Sequence, residues 1–289
     1  MEVLDRWYAE VSIDELKAYF RKDPVALALL SKEQKQARSQ TSEAVVPKLT
    51  AVVDGRHQIK DNPPVLYHFQ KNAQDFERET RNNMAQYRKS LPADRLALFE
   101  RYQFHDAAVK VVGVGSVGTR CYLGLFSSEG DEPLFLQIKE ARRSVLESPR
   151  SKSRFANQGF RVVTGQRLMQ AASDIFLGWY RSEHGHDYYV RQFRDMKVSS
   201  EIDTFRPGNL VGYATTCGWA LARAHAKAGD APMIAGYLGS TDRFDDVLAQ
   251  YSAAYADQAE LDFATFKAAI RSGRLSTDVK KGAGLEFVA

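Results

Sequence analysis

The sequence predicts an α+β fold: a five-stranded antiparallel sheet with one helix inserted after its third strand, set between helical flanks. Three observations predict it. Residues 1–105 carry helical spacings interrupted by one short hairpin signal. At about Asp106 the texture changes to β-branched, alternating runs. From Asn209 the chain returns to long helical stretches. The expected regions are therefore a helical region with a short hairpin (1–105), a sheet region (106–197), a C-terminal helical region (198–275) and a frayed tail (276–289).

The first region is justified element by element. Ser12-Ile13-Asp14-Glu15 has capping-box spacing ahead of Leu16, Tyr19 and Phe20. Asp23-Pro24 reads as an N-cap and first helical residue. Leu49–Val53 and Arg56–Lys60 flank the turn signal Asp54-Gly55, and Asn62-Pro63-Pro64 then breaks the pattern. Residues 73–103 read as helix, divided at Leu91-Pro92-Ala93-Asp94.

In the second region, Ala108–Ser116, Thr119–Phe126 and Leu134–Lys139 read as strands, with a turn cluster at Ser127–Pro133. The polar stretch Arg142–Gln158 reads as loop or weak helix, and Phe160–Ala172 as a helix. Phe176–Ser182 and Tyr188–Phe193 are two further strands. Helices follow at Asn209–Ala228, with Trp219 and Leu221 expected toward the core, and at Asp245–Arg271. Three strands, a helix and two strands is the plan of a kinase small lobe.

Composition restricts the classes of function. The chain has 289 residues, 44% hydrophobic and 26% charged, with a formal net charge of +4. Mild basicity spread along the chain suits an anionic ligand. Basic residues at 78–110 alternate with Asp and Glu, so a solvated helix face is favoured over a nucleic-acid site. The two cysteines, Cys121 and Cys217, lack metal-ligand spacing and suggest a reducing, cytoplasmic setting. No run approaches the roughly 18 apolar residues of a membrane span, and the acidic start Met1-Glu2-Val3-Leu4-Asp5 is unlike a secretory leader.

Gly113-Val114-Gly115-Ser116-Val117-Gly118 matches G-x-G-x-x-G. A dinucleotide site requires a helix after such glycines and an acidic residue about 20 positions on. Here a strand-like run follows, and the residue 21 positions beyond Gly118 is Lys139. The kinase arrangement puts the glycines at a turn between antiparallel strands, where backbone N–H groups fold over phosphates, and a lysine on the next strand reaches them. Gly113, Gly115, Ser116, Gly118 and Lys139 are therefore candidate ATP-binding residues. A glycine-rich hairpin with a solvated lysine is the alternative. The helix glutamate that orients a kinase lysine is missing from Phe160–Ala172; Gln166 could substitute by a hydrogen bond. Glu140 should point to the other face of the strand. Arg194-Asp195-Met196-Lys197 takes the place of the adenine-contacting hinge, or is a plain connector.

Several strings together resemble a bacterial family, the domain of unknown function 2252: Lys110 through Cys121, Leu136-Gln137-Ile138-Lys139-Glu140-Ala141, Gly165 through Asp174, Tyr189 through Lys197 and Leu221 through Ala226. The resemblance is specific over about 100–275 and looser over the earlier helices. It implies a permuted kinase-like fold related to aminoglycoside and choline phosphotransferases, whose catalytic G-D-x-H-x-x-N loop and metal-binding D-x-N-D segment lie upstream of the small lobe. Neither motif is present: Gly229-Asp230 is followed by Ala231-Pro232. The resemblance thus implies the C-terminal two-thirds of a member, an incomplete fold that binds ATP and lacks both catalytic residues and Mg²⁺ ligands of its own. The expected partners are nucleotide and a complementary N-terminal half. His225 is read as a contact to that half or as a core histidine. His184 and His186 are read as exposed, with no converging acid or cysteine to make a metal site.

Overall fold

The computed structural model describes residues 12–53, 55–68, 73–113, 118–148, 152–170, 172–193 and 200–275. The chain divides into two compact units, Met1–Ala224 and His225–Ala289.

The first unit opens with α1 (Ile13–Tyr19), α2 (Pro24–Arg38) and α3 (Ser42–Leu49). The capping box at Ser12 and Glu15 is formed in both directions, and the Asp23 side chain caps α2 ahead of Pro24. Two short strands, β1 (Thr50–Val53) and β2 (Arg56–Ile59), form the expected hairpin. Its turn contains Gly55 at φ 74°, a left-handed conformation that favours glycine. Helices α4 (Ala73–Arg88) and α5 (Ala93–Phe99) divide where Pro92 predicts.

The main sheet has six strands rather than the expected five, in the order β3-β4-β5-β6-β8-β7, all neighbours antiparallel. These are β3 (Leu66–Tyr67), β4 (Tyr102–Lys110), β5 (Cys121–Ser128), β6 (Pro133–Glu140), β7 (Gly178–Arg181) and β8 (Asp187–Gln192). The extra strand is β3, two residues pairing with the end of β4. The inserted helix is α6 (Gln158–Met169), between β6 and β7, so an α+β fold with one helix after the third long strand holds. β4 starts at Tyr102, earlier than expected, and its pairing slips between Phe104 and Asp106. That bulge spoils the alternation by which the strand could be read.

Each face of the sheet carries its own core. On one side Met84 and Tyr87 of α4, with Leu91 and with Phe99 of α5, pack on Phe126, Leu134, Leu136, Ile138, Tyr180, Tyr188 and Val190. On the other, Val45 of α3 and Ile59 of β2 cover Leu66, Ala108, Leu123, Leu125 and Phe135. Asp106 ties this second layer together. It accepts from the Ile59 backbone N–H at 2.7 Å and meets the His68 ring at 3.1 Å, while Asp61 holds the other ring nitrogen at 2.7 Å. The Asp106 hydrogen bond, against the opposing pull of burial, leads the causes that raise the His68 pKa to about 9. The imidazolium is therefore built into the structure at neutral pH.

After Asn209 two expectations are corrected. Helix α7 (Pro207–Ala228) forms, but Trp219 and Leu221 are 40% and 57% exposed rather than core residues. An apolar face marks a surface that favours cover; it does not say that the chain supplies it. His225 is exposed too, so it is not a core histidine. The second unit holds α8 (Ala231–Leu238) and the long α9 (Arg243–Arg271). Helix α8, capped by Asp230, begins at the Gly229-Asp230-Ala231-Pro232 stretch that fails as a catalytic loop. No helix among the described residues is long and apolar enough to cross a membrane. The tail expected to fray, 276–289, lies outside the described residues.

Candidate functional site

The site is built on the register of four strands. Cys121, Lys139, Tyr189 and Trp179 form one row across β5, β6, β8 and β7. Side chains alternate along a strand, so Lys139 shares its face with Phe135 and Gln137, and Arg191 opposite Gln137 shares it too. Leu136 and Ile138, on either side of Gln137, are buried in the core beneath the opposite face.

Glu140 points away from Lys139, as expected, and ties down the base of the glycine-rich segment. It accepts from the Arg120 backbone N–H and from Arg142 Nε, both at 2.9 Å. Burial alone pushes the Glu140 pKa up; the Arg142 and Arg120 bonds and charges outweigh it and bring it below the usual value. Arg142 also donates to the Gly118 carbonyl. Gly118 has φ 78°, which again suits glycine. The network fastens the end of the segment to the end of β6, one residue from Lys139. Gly113 has open space where a Cβ would stand. Gly115 and Ser116, like 194–197 at the expected hinge, lie outside the described residues.

Electrostatics around Cys121 show what gathers here. Its thiol is pushed up to about 11 by burial, against the opposing pull of Lys139, Lys110 and Arg191. The register puts Lys139 beside Cys121, with Lys110 on the neighbouring strand β4 and Arg191 on β8 on the same face of the sheet. Arg191 is held by Gln137 Oε1 at 3.1 and 3.2 Å, and Lys110 stands over the Phe193 ring at 5.8 Å. Among the described residues no carboxylate pairs with Lys139. A half-buried positive surface of this kind favours an anion.

Helix α6 packs on β7 and β8. Its Phe160 meets Trp179 with ring centroids 5.2 Å apart, which puts it on the face that carries Lys139. Gln166 is half-buried and, among the described residues, makes no side-chain hydrogen bond to Lys139.

Sequence reasoning missed Lys110, Arg191 and Arg142. The first two are findable by counting strand alternation outward from Lys139, once the pairing of β4 and β8 is known. It also saw no acid near His184. Glu79 of α4 and Glu183 each place a ligand atom within 4.8 Å of His184, in a group with two exposed members.

Residues 1–269 match the family described as an uncharacterized protein conserved in bacteria, DUF2252. The chain belongs to this family. The DUF2252 match takes in the N-terminal helices along with the sheet, so it lends no support to reading the chain as the C-terminal two-thirds of a member. No curated protein and no solved structure matches the chain.

Proposed function

We propose that this DUF2252 chain is a kinase-like nucleotide-binding module, related to small-molecule phosphotransferases, that grips the phosphates of ATP and does not transfer them by itself. The observation that carries the reading is the placement of Lys139, Lys110 and Arg191 on one face of the sheet, near the anchored end of the Gly113–Gly118 segment. Backbone N–H groups of the segment, including those at Gly115 and Ser116, would bind phosphate oxygens, and Lys139 would neutralise them. Gln166 would approach from α6 once ligand draws the lysine into place. Bound Mg²⁺ would supply charge neutralisation between phosphates. The chain offers no G-D-x-H-x-x-N or D-x-N-D carboxylates to hold it or to position an acceptor, so turnover requires those groups from elsewhere.

Calorimetric titration with ATP, with and without Mg²⁺, tests this. The native chain should bind, and Lys139→Ala should bind at least about tenfold more weakly, as removal of a charged hydrogen-bond donor implies. No binding by a well-folded native chain overturns the proposal.

A second reading is a non-catalytic partner of a complementary protein that carries the missing carboxylates. Exposed apolar surface favours it. In the first unit, Val211 and Leu221 of α7 are 68% and 57% exposed. In the second, Tyr251, Tyr255, Phe263 and Phe266 of α9 are each more than half exposed. Apolar exposure on that scale marks interaction surfaces. The chain should therefore enhance the fluorescence of a hydrophobic dye or sediment as an assembly; a dye-silent monomer overturns this reading.

A further inference from the structure

A separate groove lies between α4, the start of β4 and the β1–β2 hairpin. Its volume is about 610 Å³, within the range of small-molecule sites. Arg81 and Arg88 of α4 line one wall and Arg56 of β2 also lines the groove, while Tyr102, Phe104 and Phe126 contribute its aromatic surface. Seven residues separate the two helix arginines, so both face the groove about 10 Å apart. The Arg81 guanidinium lies over the Phe104 ring at 5.1 Å, and that of Arg88 over the Phe99 ring at 5.7 Å. A guanidinium over a ring keeps its positive charge, and arginine can bond an oxyanion in bidentate fashion. Glu100 also lines the groove, leaving three arginines against one carboxylate. Among the described residues neither Arg56 nor Arg88 has an ion-pair partner.

The groove is distinct from the Lys139 face. Phe104 pairs with Phe126, at the end of the β4–β5 ladder opposite to Gly113 and Gly118. Phe126 belongs to the core under α4 and α5, whereas Lys139 faces the other side of the sheet.

We propose that this groove binds a small aromatic phosphate, with its ring against Phe104 and Tyr102 and its phosphate between Arg56 and Arg88. The aromatic surface calls for a planar group, and the arginine rim calls for a compact dianion. Neither inorganic phosphate nor a neutral ring satisfies both.

Phenyl phosphate is the probe, with inorganic phosphate and phenol as its two halves, followed by NMR titration of the intact chain. Phenyl phosphate should bind at least tenfold more tightly than either half. Arg56→Glu and Arg88→Glu, both surface changes whose folding circular dichroism would verify, should each weaken it at least tenfold. Lys139→Ala should leave it unchanged. Native affinity in either charge-reversal variant, loss of binding in Lys139→Ala, or no binding to the folded native chain would each overturn the proposal.

Discussion

Gly159→Ala is expected to lower the stability of the first unit by about 3 kcal/mol or more, the upper range of overpacking. A Cβ at Gly159 would stand 2.1 Å from the Tyr188 carbonyl oxygen and 2.7 Å from its carbon. The obstacle is backbone, so no rotamer change relieves it. Nor can that backbone move freely, because β8 lies between β6 and β7 and is hydrogen-bonded to both. Helix α6 would have to lift from the sheet instead. That would separate the Asn157 cap, whose side chain accepts from the Phe160 N–H at 2.9 Å, from the rest of the seat. Gly165 in the same helix is the control. A Cβ there would meet nothing within 4 Å, so Gly165→Ala should be neutral or stabilising by up to about 1 kcal/mol. Urea unfolding of the two variants reads the difference, and equal midpoints would mean that α6 does not sit on β8 this way.

What could be read from the sequence follows from how local each signal is. The caps at Ser12 and Asp23, the pairing of β1 with β2 and the break at Pro92 are decided within a few residues, and each forms. β3 has no such signal: two residues become a strand only by pairing with Lys110 and Val109. The bulge after Phe104 hides the first residues of β4, because a shift in register inverts the pattern that alternation predicts. Trp219 and Leu221 show the converse limit, an apolar face correctly seen and wrongly assigned to the core.

The same distinction governs the site. Lys139 facing away from Glu140 needs only the two-residue period of a strand. Lys110 and Arg191 join Lys139 through three sheet ladders, from residues that pattern alone cannot align. Gly118 is legible as part of a motif, but its anchoring by Arg142 depends on a loop whose path no local rule specifies.

Asp187 is the residue that sequence reading passed over with the greatest expected consequence, since Asp187→Ala should cost about 2–4 kcal/mol. It is buried at 8% exposure at the start of β8. Its carboxylate accepts from Arg181 Nε at 2.6 Å, from Asn157 Nδ2 at 2.8 Å and from the Gln158 backbone N–H at 2.7 Å. One side chain thus closes the β7–β8 hairpin and fastens the first turn of α6 to it. Alanine would leave the Asn157 amide and the Gln158 N–H without their acceptor in a buried place, which costs more than the bonds themselves contribute. Arg181, with its side chain 51% exposed, regains water in that variant; Arg181→Ala leaves the Asn157 and Gln158 donors on the buried carboxylate, so it should cost less than Asp187→Ala. The large asymmetry between the two ends of one ion pair is the distinguishing result. Chemical denaturation of both variants measures it, with hydrogen exchange in α6 showing where the loss falls. Equal, small effects would mean that Asp187 is an ordinary surface partner of Arg181. An unequal pair with faster exchange in α6 would mean that this carboxylate holds the helix carrying Gln166 against the sheet that carries Lys139.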